Sequence, residues 1–174
     1  MNARMMVAWV VVAAVAATGC GKKKQERDDA AASRIASKAI SVASGKDVKV
    51  KVDGDTVTYT DAEGGVTMHA GKGAKLPQGF PDDLPVYEKA EILHAASMGE
   101  DEFSVSLQSK DAVAAVAGFY KESMESEGWE PETVMDMQNR AMLAYRKGNR
   151  AANVMIAADQ DGGSVISLTT GVMD

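Results

Sequence analysis

Alternating apolar and polar residues are the feature that most limits how this chain folds. Val48, Val50 and Val52 alternate with lysines, and the same period of two recurs in later segments between turns rich in glycine, aspartate and asparagine. This period is typical of half-buried β-strands, and short connections between them favour antiparallel pairs. The alternation predicts strands over 48–52, 57–59, 66–70, 90–98, 102–108, 132–138, 141–147, 151–158 and 164–170.

Two segments change to the 3.6-residue period of an amphipathic helix. Residues 28–44 form the first, with a thin apolar face. Ser109 is a candidate N-cap for the second, which carries a wide apolar stripe and runs to about Glu127. Gly128 is expected to end that helix, and Trp129 to fold back onto it.

The prolines divide the chain, because three of the four lie in residues 76–87 and disfavour helix there. We therefore expect an α+β fold. Residues 28–75 form an N-terminal helix and a three-stranded β-meander, and residues 76–87 an extended connector along a hydrophobic surface. Residues 88–174 form an antiparallel sheet domain, in the order β-β-α-β-β-β-β, covered by one long helix.

The first residues carry a targeting pattern. Arg4 precedes an unbroken apolar run over residues 5–17, which is shorter than the roughly 20 residues that span a bilayer. A basic residue, a short apolar segment and small residues behind it are the layout of a secretory signal. Residues 1–19 are therefore predicted to be a signal peptide that the mature protein lacks.

The small residues Ala17, Thr18 and Gly19 directly precede Cys20, the chain's single cysteine. This arrangement resembles the lipobox of bacterial lipoprotein precursors, although Ala17 stands where that family usually has leucine. The resemblance implies that the Cys20 thiol receives a diacylglycerol and that the peptide before it is removed. Two or more acyl chains, such as palmitate, hold a protein stably on a bilayer at about 0.8 kcal/mol per buried methylene.

Residues 20–27 are then a lipidated cysteine and a basic tether. The lysines at 22–24 attract anionic headgroups, but nearby carboxylates cancel much of their charge, so a soluble spacer with some electrostatic attraction is the favoured interpretation. The family resemblance implies the extracytoplasmic side of the cell envelope. Gly21, in place of aspartate, favours the outer membrane of a Gram-negative cell. The connector also resembles a stretch found in uncharacterised bacterial secreted and lipoprotein domains.

Charge and composition argue against several classes of function. A net charge of −6 without a basic stripe disfavours nucleic-acid binding. Lipidation uses the single cysteine, and the two histidines are not spaced as metal ligands. Met135 and Met137 share a strand face and could hold Cu(I), but packing explains them better. We expect no metal and no cofactor.

We compare three functions against these observations. The leading hypothesis is a membrane-anchored envelope lipoprotein that binds or scaffolds without catalysis, with a possible envelope protein partner. The alternative is an extracytoplasmic carrier of a small hydrophobic or metal ligand held between helix and sheet, which needs an apolar cavity. An enzyme would need a cleft of groups with shifted pKa values, and neither a G-x-S-x-G sequence nor convergent carboxylates indicate one.

Overall fold

The computed structural model describes residues 22–44, 47–61 and 66–173. Within these ranges the chain is an α+β protein with two helices and a large antiparallel sheet, as the alternation predicts. The helices are α1 (Lys22–Ser44) and α2 (Val113–Ser126). The strands are β1 (Val48–Asp53), β2 (Thr56–Asp61), β3 (Val66–Gly71), β4 (Ala90–Met98), β5 (Phe103–Ser109), β6 (Glu130–Met137), β7 (Arg140–Lys147), β8 (Arg150–Ala158) and β9 (Ser164–Val172).

The nine described strands form one sheet in the order β1-β2-β3-β4-β5-β9-β8-β7-β6. The predicted separation of the meander from the later strands is wrong, because β3 pairs with β4 from Val66 opposite Met98 to Ala70 opposite His94. A three-stranded meander buries little apolar surface, and pairing with β4 removes a free strand edge. The connector therefore links two neighbouring strands of one sheet.

The two helices lie on opposite faces of this sheet. Residues that lie opposite each other on neighbouring strands point to the same face of the sheet. The successive cross-strand partners of Val50 in β1 lead to Ala144 in β7, so these two side chains share a face. Helix α1 packs on the valines of β1, whereas α2 packs on side chains such as Leu143 that point the other way. The expectation that one helix covers the sheet is therefore corrected. Helix α2 lies against β6, β7 and β8, and α1 lies against β1.

The connector completes the layer that α2 begins. Leu84 is buried in the main core. Phe80 packs edge-on against Phe103 of β5 with ring centroids 5.7 Å apart, and Tyr87 packs in the same way against Phe119 of α2 at 5.0 Å. The predicted placement of the connector along a hydrophobic surface is confirmed. The largest fully buried side chains include Trp129, Tyr120, Tyr145, Leu107, Met124, Leu143, Ile156, Ile166 and Leu168.

Helix α2 ends where the sequence predicts. Gly128 has φ +80°, a conformation that glycine adopts without steric cost. The Trp129 backbone N–H then donates to the Met124 carbonyl at 2.9 Å, which turns the indole back into the core.

The start of α2 differs from the prediction. The helix begins at Val113, and its N-cap Ala112 provides no side-chain hydrogen bond. Ser109 is instead the last residue of β5, paired on both sides of that strand. Its hydroxyl accepts the Asp111 N–H at 3.1 Å, so it shapes the turn before the helix and does not cap it.

Candidate functional site

The residues assigned to lipidation and signal cleavage lie outside the described residues; they are Ala17, Thr18, Gly19 and Cys20. The described part of the chain starts at Lys22, already in the first turn of α1. This is earlier than Asp28, the predicted start of the helix, and most of the predicted tether is therefore helical. Lysine, glutamine, glutamate and arginine are good helix formers, which explains the extension. A single residue, Gly21, separates Cys20 from α1.

One side of α1 is hydrogen-bonded along the outer edge of β1. Side chains spaced four residues apart on the helix accept backbone N–H groups from β1 and from the turn after it. The pairs are Ser41 with Val48 at 3.0 Å, Ser37 with Val50 at 2.8 Å, Ser33 with Val52 at 2.8 Å and Asp29 with Gly54 at 3.1 Å. We call these four helical residues the serine row.

The spacing of the serine row follows from the two backbone geometries. Four helical residues rise about 6 Å, and two residues of an antiparallel strand advance about 6.8 Å. A hydroxyl on every fourth helical residue therefore stays in step with the outward N–H groups of an edge strand. Ala32, Ala36 and Ile40 pack beside the row on the valines of β1. The row satisfies N–H groups that could otherwise pair with another chain.

A second cluster joins the connector to the β7–β8 hairpin. The Arg150 guanidinium donates to both carboxylate oxygens of Asp83, with Nη1 3.0 Å from Oδ1. Lys147 Nζ donates to Asp83 Oδ2 at 2.7 Å, and Trp129 Nε1 donates to the Asp83 carbonyl at 2.7 Å. The guanidinium also lies 4.9 Å from the centroid of the Trp129 ring. We call these residues the Asp83 cluster.

The hydrogen bonds from Arg150, followed by those from Lys147, lower the pKa of Asp83 to about 2, although burial acts in the opposite direction. The same contact with Asp83 raises the pKa of Arg150. A carboxylate held by two cations is not a free general base. The cluster therefore acts as a structural clamp. Sequence reasoning missed it, because Asp83 and Arg150 are 67 positions apart and no local pattern connects them.

The Asp83 cluster predicts a loss of stability in acid. Because the pKa of Asp83 is lower in the folded protein than its ordinary 3.8, its contribution is complete above about pH 4 and disappears as the pH falls towards 2. Asp83→Asn should lower the free energy of unfolding by about 1–2 kcal/mol at pH 7, after allowance for partial solvent exposure. Urea unfolding at pH 7, 4 and 2.5 should show the two proteins converging in acid.

Asp82→Asn is the matched control, since Asp82 is the exposed neighbour of Asp83 and lies outside the cluster. It should leave the stability nearly unchanged at each pH. A difference between Asp83→Asn and the natural protein that persists undiminished at pH 2.5 would contradict the assigned charge effect.

A polar groove of about 600 Å³ lies at the ends of β4, β5 and β9; its lining includes Lys89, Glu91, Lys110, Asp111, Asp159 and Asp161. Two of its carboxylates have partners. Asp111 accepts the Tyr87 hydroxyl at 2.5 Å, and Asp159 accepts Gln108 Nε2 at 2.6 Å. Within the described residues no group of three or more histidine, cysteine, aspartate or glutamate side chains could hold a metal ion. The groove therefore offers charged and hydrogen-bonding side chains to a polar ligand.

The structure brings three methionines together on the sheet face opposite α2. Met135 pairs with Met142, and Met142 with Met155, whereas the sequence pattern groups Met135 with Met137. His94 lies in the same cross-strand row, on β4, but three strand spacings of about 4.8 Å separate β4 from β8. That separation is too long for His94 and the methionines to bind one ion. The row is an exposed apolar strip.

Part of the chain is similar to a known protein family. A family model described as START domain-like matches residues 89–163, which is less than half of the chain. The matched segment contains β4, β5, α2, β6, β7 and β8. No curated protein and no solved structure matches the chain significantly. Among the described helices, none combines the length and apolar character needed to cross a bilayer. Over the matched segment the chain is similar to START domain-like proteins.

Proposed function

We propose that the protein is a cell-envelope lipoprotein, anchored through acyl chains at Cys20, whose body binds or scaffolds without catalysis. The observation that carries the proposal is the order of features at the N-terminus. A basic residue and a short apolar run are followed by small residues, the single cysteine and, after Gly21, a helix. A signal peptide and a lipid anchor explain this order together.

The described side chains favour binding over catalysis. Asp83, a carboxyl group with a strongly lowered pKa, is engaged by two cations, and two carboxylates of the polar groove, Asp111 and Asp159, serve as hydrogen-bond acceptors. General acid–base catalysis needs a proton-transferring group that is free to approach a substrate. Those groups support the fold instead, so we assign the body a binding or scaffolding role towards a protein of the envelope.

Replacing Cys20 tests the anchor. Cells expressing the natural chain or Cys20→Ala are fed a palmitate analogue that can be coupled to a fluorophore, and their membranes are fractionated. The natural protein should carry the label and sediment with membranes, and its leader should be absent by mass spectrometry. Cys20→Ala should lose the label, because the acceptor sulfur is gone.

Thr18→Ser is the control, since it keeps a small residue before the cysteine and should be labelled normally. An unlabelled natural protein that retains its leader would contradict the proposal. Density-gradient separation of the two membranes tests the finer assignment to the outer membrane, which rests on Gly21 alone.

The carrier of a small hydrophobic or metal ligand ranks second. It requires an apolar cavity between α2 and the sheet, where Val116, Tyr120 and Met124 of α2 are fully buried against strand residues. A groove of about 310 Å³ lies elsewhere, along β8 and β9. Small molecules released when the purified protein is denatured would favour the carrier, and mass spectrometry of the supernatant detects them.

A further inference from the structure

Helix α1 exposes two large apolar side chains on the side that faces away from the sheet. Ile35 is 71% exposed and Val42 is 78% exposed, whereas the next most exposed large apolar residue in the described part of the chain, Met137, is at 51%. Ile35 and Val42 are seven residues apart, which places them two turns apart on the same side of the helix. Ala31 and Ala39 are exposed on that side as well.

Basic side chains lie beside this apolar stripe. Arg27, Arg34 and Lys38 are exposed, and their spacings of four and seven residues place them in one row along the helix. None of the three side chains forms a hydrogen bond or ion pair with another described residue. Asp28, seven residues before Ile35, is a carboxylate at the start of the same side. We call Arg27, Ala31, Arg34, Ile35, Lys38 and Val42 the outward face of α1.

The outward face extends far from the start of the helix. At 1.5 Å per residue, Ile35 lies about 20 Å and Val42 about 30 Å from Lys22 along the axis. Cys20 is two residues before Lys22, and two extended residues reach only about 7 Å. A helix standing upright on the anchor would hold both apolar side chains in water. A helix lying flat would bring both to the bilayer.

We propose that α1 lies along an anionic lipid bilayer through its outward face. This rests on the proposed anchor at Cys20, which fixes the start of the helix at the surface. Ile35 and Val42 enter the boundary between headgroups and acyl chains, and Arg27, Arg34 and Lys38 lie at the lipid phosphates. Amphipathic helices with an apolar stripe and basic residues bind interfaces in this way.

Because of the serine row, the position of α1 on the bilayer also determines the position of the sheet. It fixes the opposite side of α1 to the edge of β1, so a flat helix brings that edge of the sheet to the membrane. Strand β6, at the other end of the sheet order, is eight strand spacings away, or about 38 Å. The Asp83 cluster, beside the β7–β8 hairpin, then lies towards the end of the sheet that is far from the lipid.

A fluorophore attached near the far end of α1 tests the proposal. Ala39→Cys keeps both apolar side chains, and a lipidated Cys20 has no free thiol to compete for a maleimide dye. The lipidated protein is placed in vesicles of phosphatidylglycerol and phosphatidylethanolamine that contain brominated lipid. We expect the dye at position 39 to be quenched several-fold more strongly than the same dye at Ser126→Cys, on the exposed end of α2.

Equal, weak quenching at both positions on floating vesicles would overturn the proposal while leaving the anchor intact. Maleimide labelling of the natural chain would instead show that Cys20 is free, and so contradict the proposed function separately. A change in the fluorescence of the dye at position 39 that depends on protein concentration but not on brominated lipid would assign the outward face to a second copy of the chain. That result would also overturn the proposal.

Paired substitutions separate the apolar from the charged contribution. In the Ala39→Cys background, Ile35→Ser with Val42→Ser should remove most of the quenching. Met135→Ser with Met155→Ser, which also removes two exposed apolar side chains but from the sheet, should not. Arg34→Glu with Lys38→Glu should lower the ratio of docked to undocked helix by about tenfold or more. Lys89→Glu with Lys110→Glu changes the net charge equally and should leave that ratio unchanged.

Discussion

Trp129→Ala should lower the free energy of unfolding by about 3–5 kcal/mol, the range observed when a large buried aromatic side chain is removed. The side chain is 2% exposed and packs in the main core between α2 and the sheet. Its Nε1 also donates to the Asp83 carbonyl. The substitution therefore removes apolar contact and leaves that carbonyl without its donor. Urea unfolding followed by far-ultraviolet circular dichroism measures the change without relying on the missing indole.

Trp129→Phe separates the two contributions. Phenylalanine keeps most of the apolar contact but cannot donate the hydrogen bond, so we expect a loss of about 1–2 kcal/mol. The dependence of the unfolding free energy on urea should stay constant in both variants, since the same surface is exposed on unfolding. A loss below about 1 kcal/mol for Trp129→Ala would show that the indole does not hold the connector, α2 and the β7–β8 hairpin together.

The parts of the fold that depend on neighbouring residues could be predicted from the sequence. The alternation over β7, β8 and β9 gives those strands within a few residues, and Gly128 with Trp129 gives the end of α2. These predictions work because the period of side chains, and the φ angle that glycine permits, are properties of a short segment. The α+β class follows from the same local signals.

The parts that depend on distant pairs could not be predicted. Pairing between β3 and β4 joins segments on either side of the connector. No sequence feature of either strand identifies the strand with which it pairs. The contact between Asp83 and Arg150 has the same character. Ser33, Ser37 and Ser41 do form a visible spacing of four, but a helix side facing water would show the same pattern. The spacing indicates a contact between helix and sheet only when an edge strand is known to lie beside the helix.

For the candidate anchor, the information comes from the sequence and not from the structure. Cys20 and the residues before it are identified from the sequence alone, and they lie outside the described residues. The structure adds the helix that begins two residues after Cys20, since α1 starts at Lys22 and is fixed to β1 by the serine row. The proposed anchor residue is therefore followed, after Gly21, by a helix that is fixed to the sheet, where the sequence predicts a tether.

Replacing Ser33, Ser37 and Ser41 together with alanine should speed amide hydrogen exchange at Val48, Val50 and Val52. Each lost acceptor costs about 1 kcal/mol, so the three together correspond to roughly a 10²-fold faster exchange through local opening. Alanine is a better helix former than serine. The helical content should therefore stay the same while the contact with β1 weakens. Exchange followed by mass spectrometry of peptides from β1 measures the effect.

Ser126→Ala is the matched control, because the Ser126 hydroxyl donates only within its own helix, to the Ser123 carbonyl at 2.8 Å. It should leave exchange in β1 unchanged. Unchanged β1 exchange in the triple variant as well would mean that the valine contacts with Ala32, Ala36 and Ile40 alone hold α1 in place. If the serine row closes the edge, the triple variant should also associate through β1 as its concentration rises, since an uncovered edge strand pairs readily with another chain.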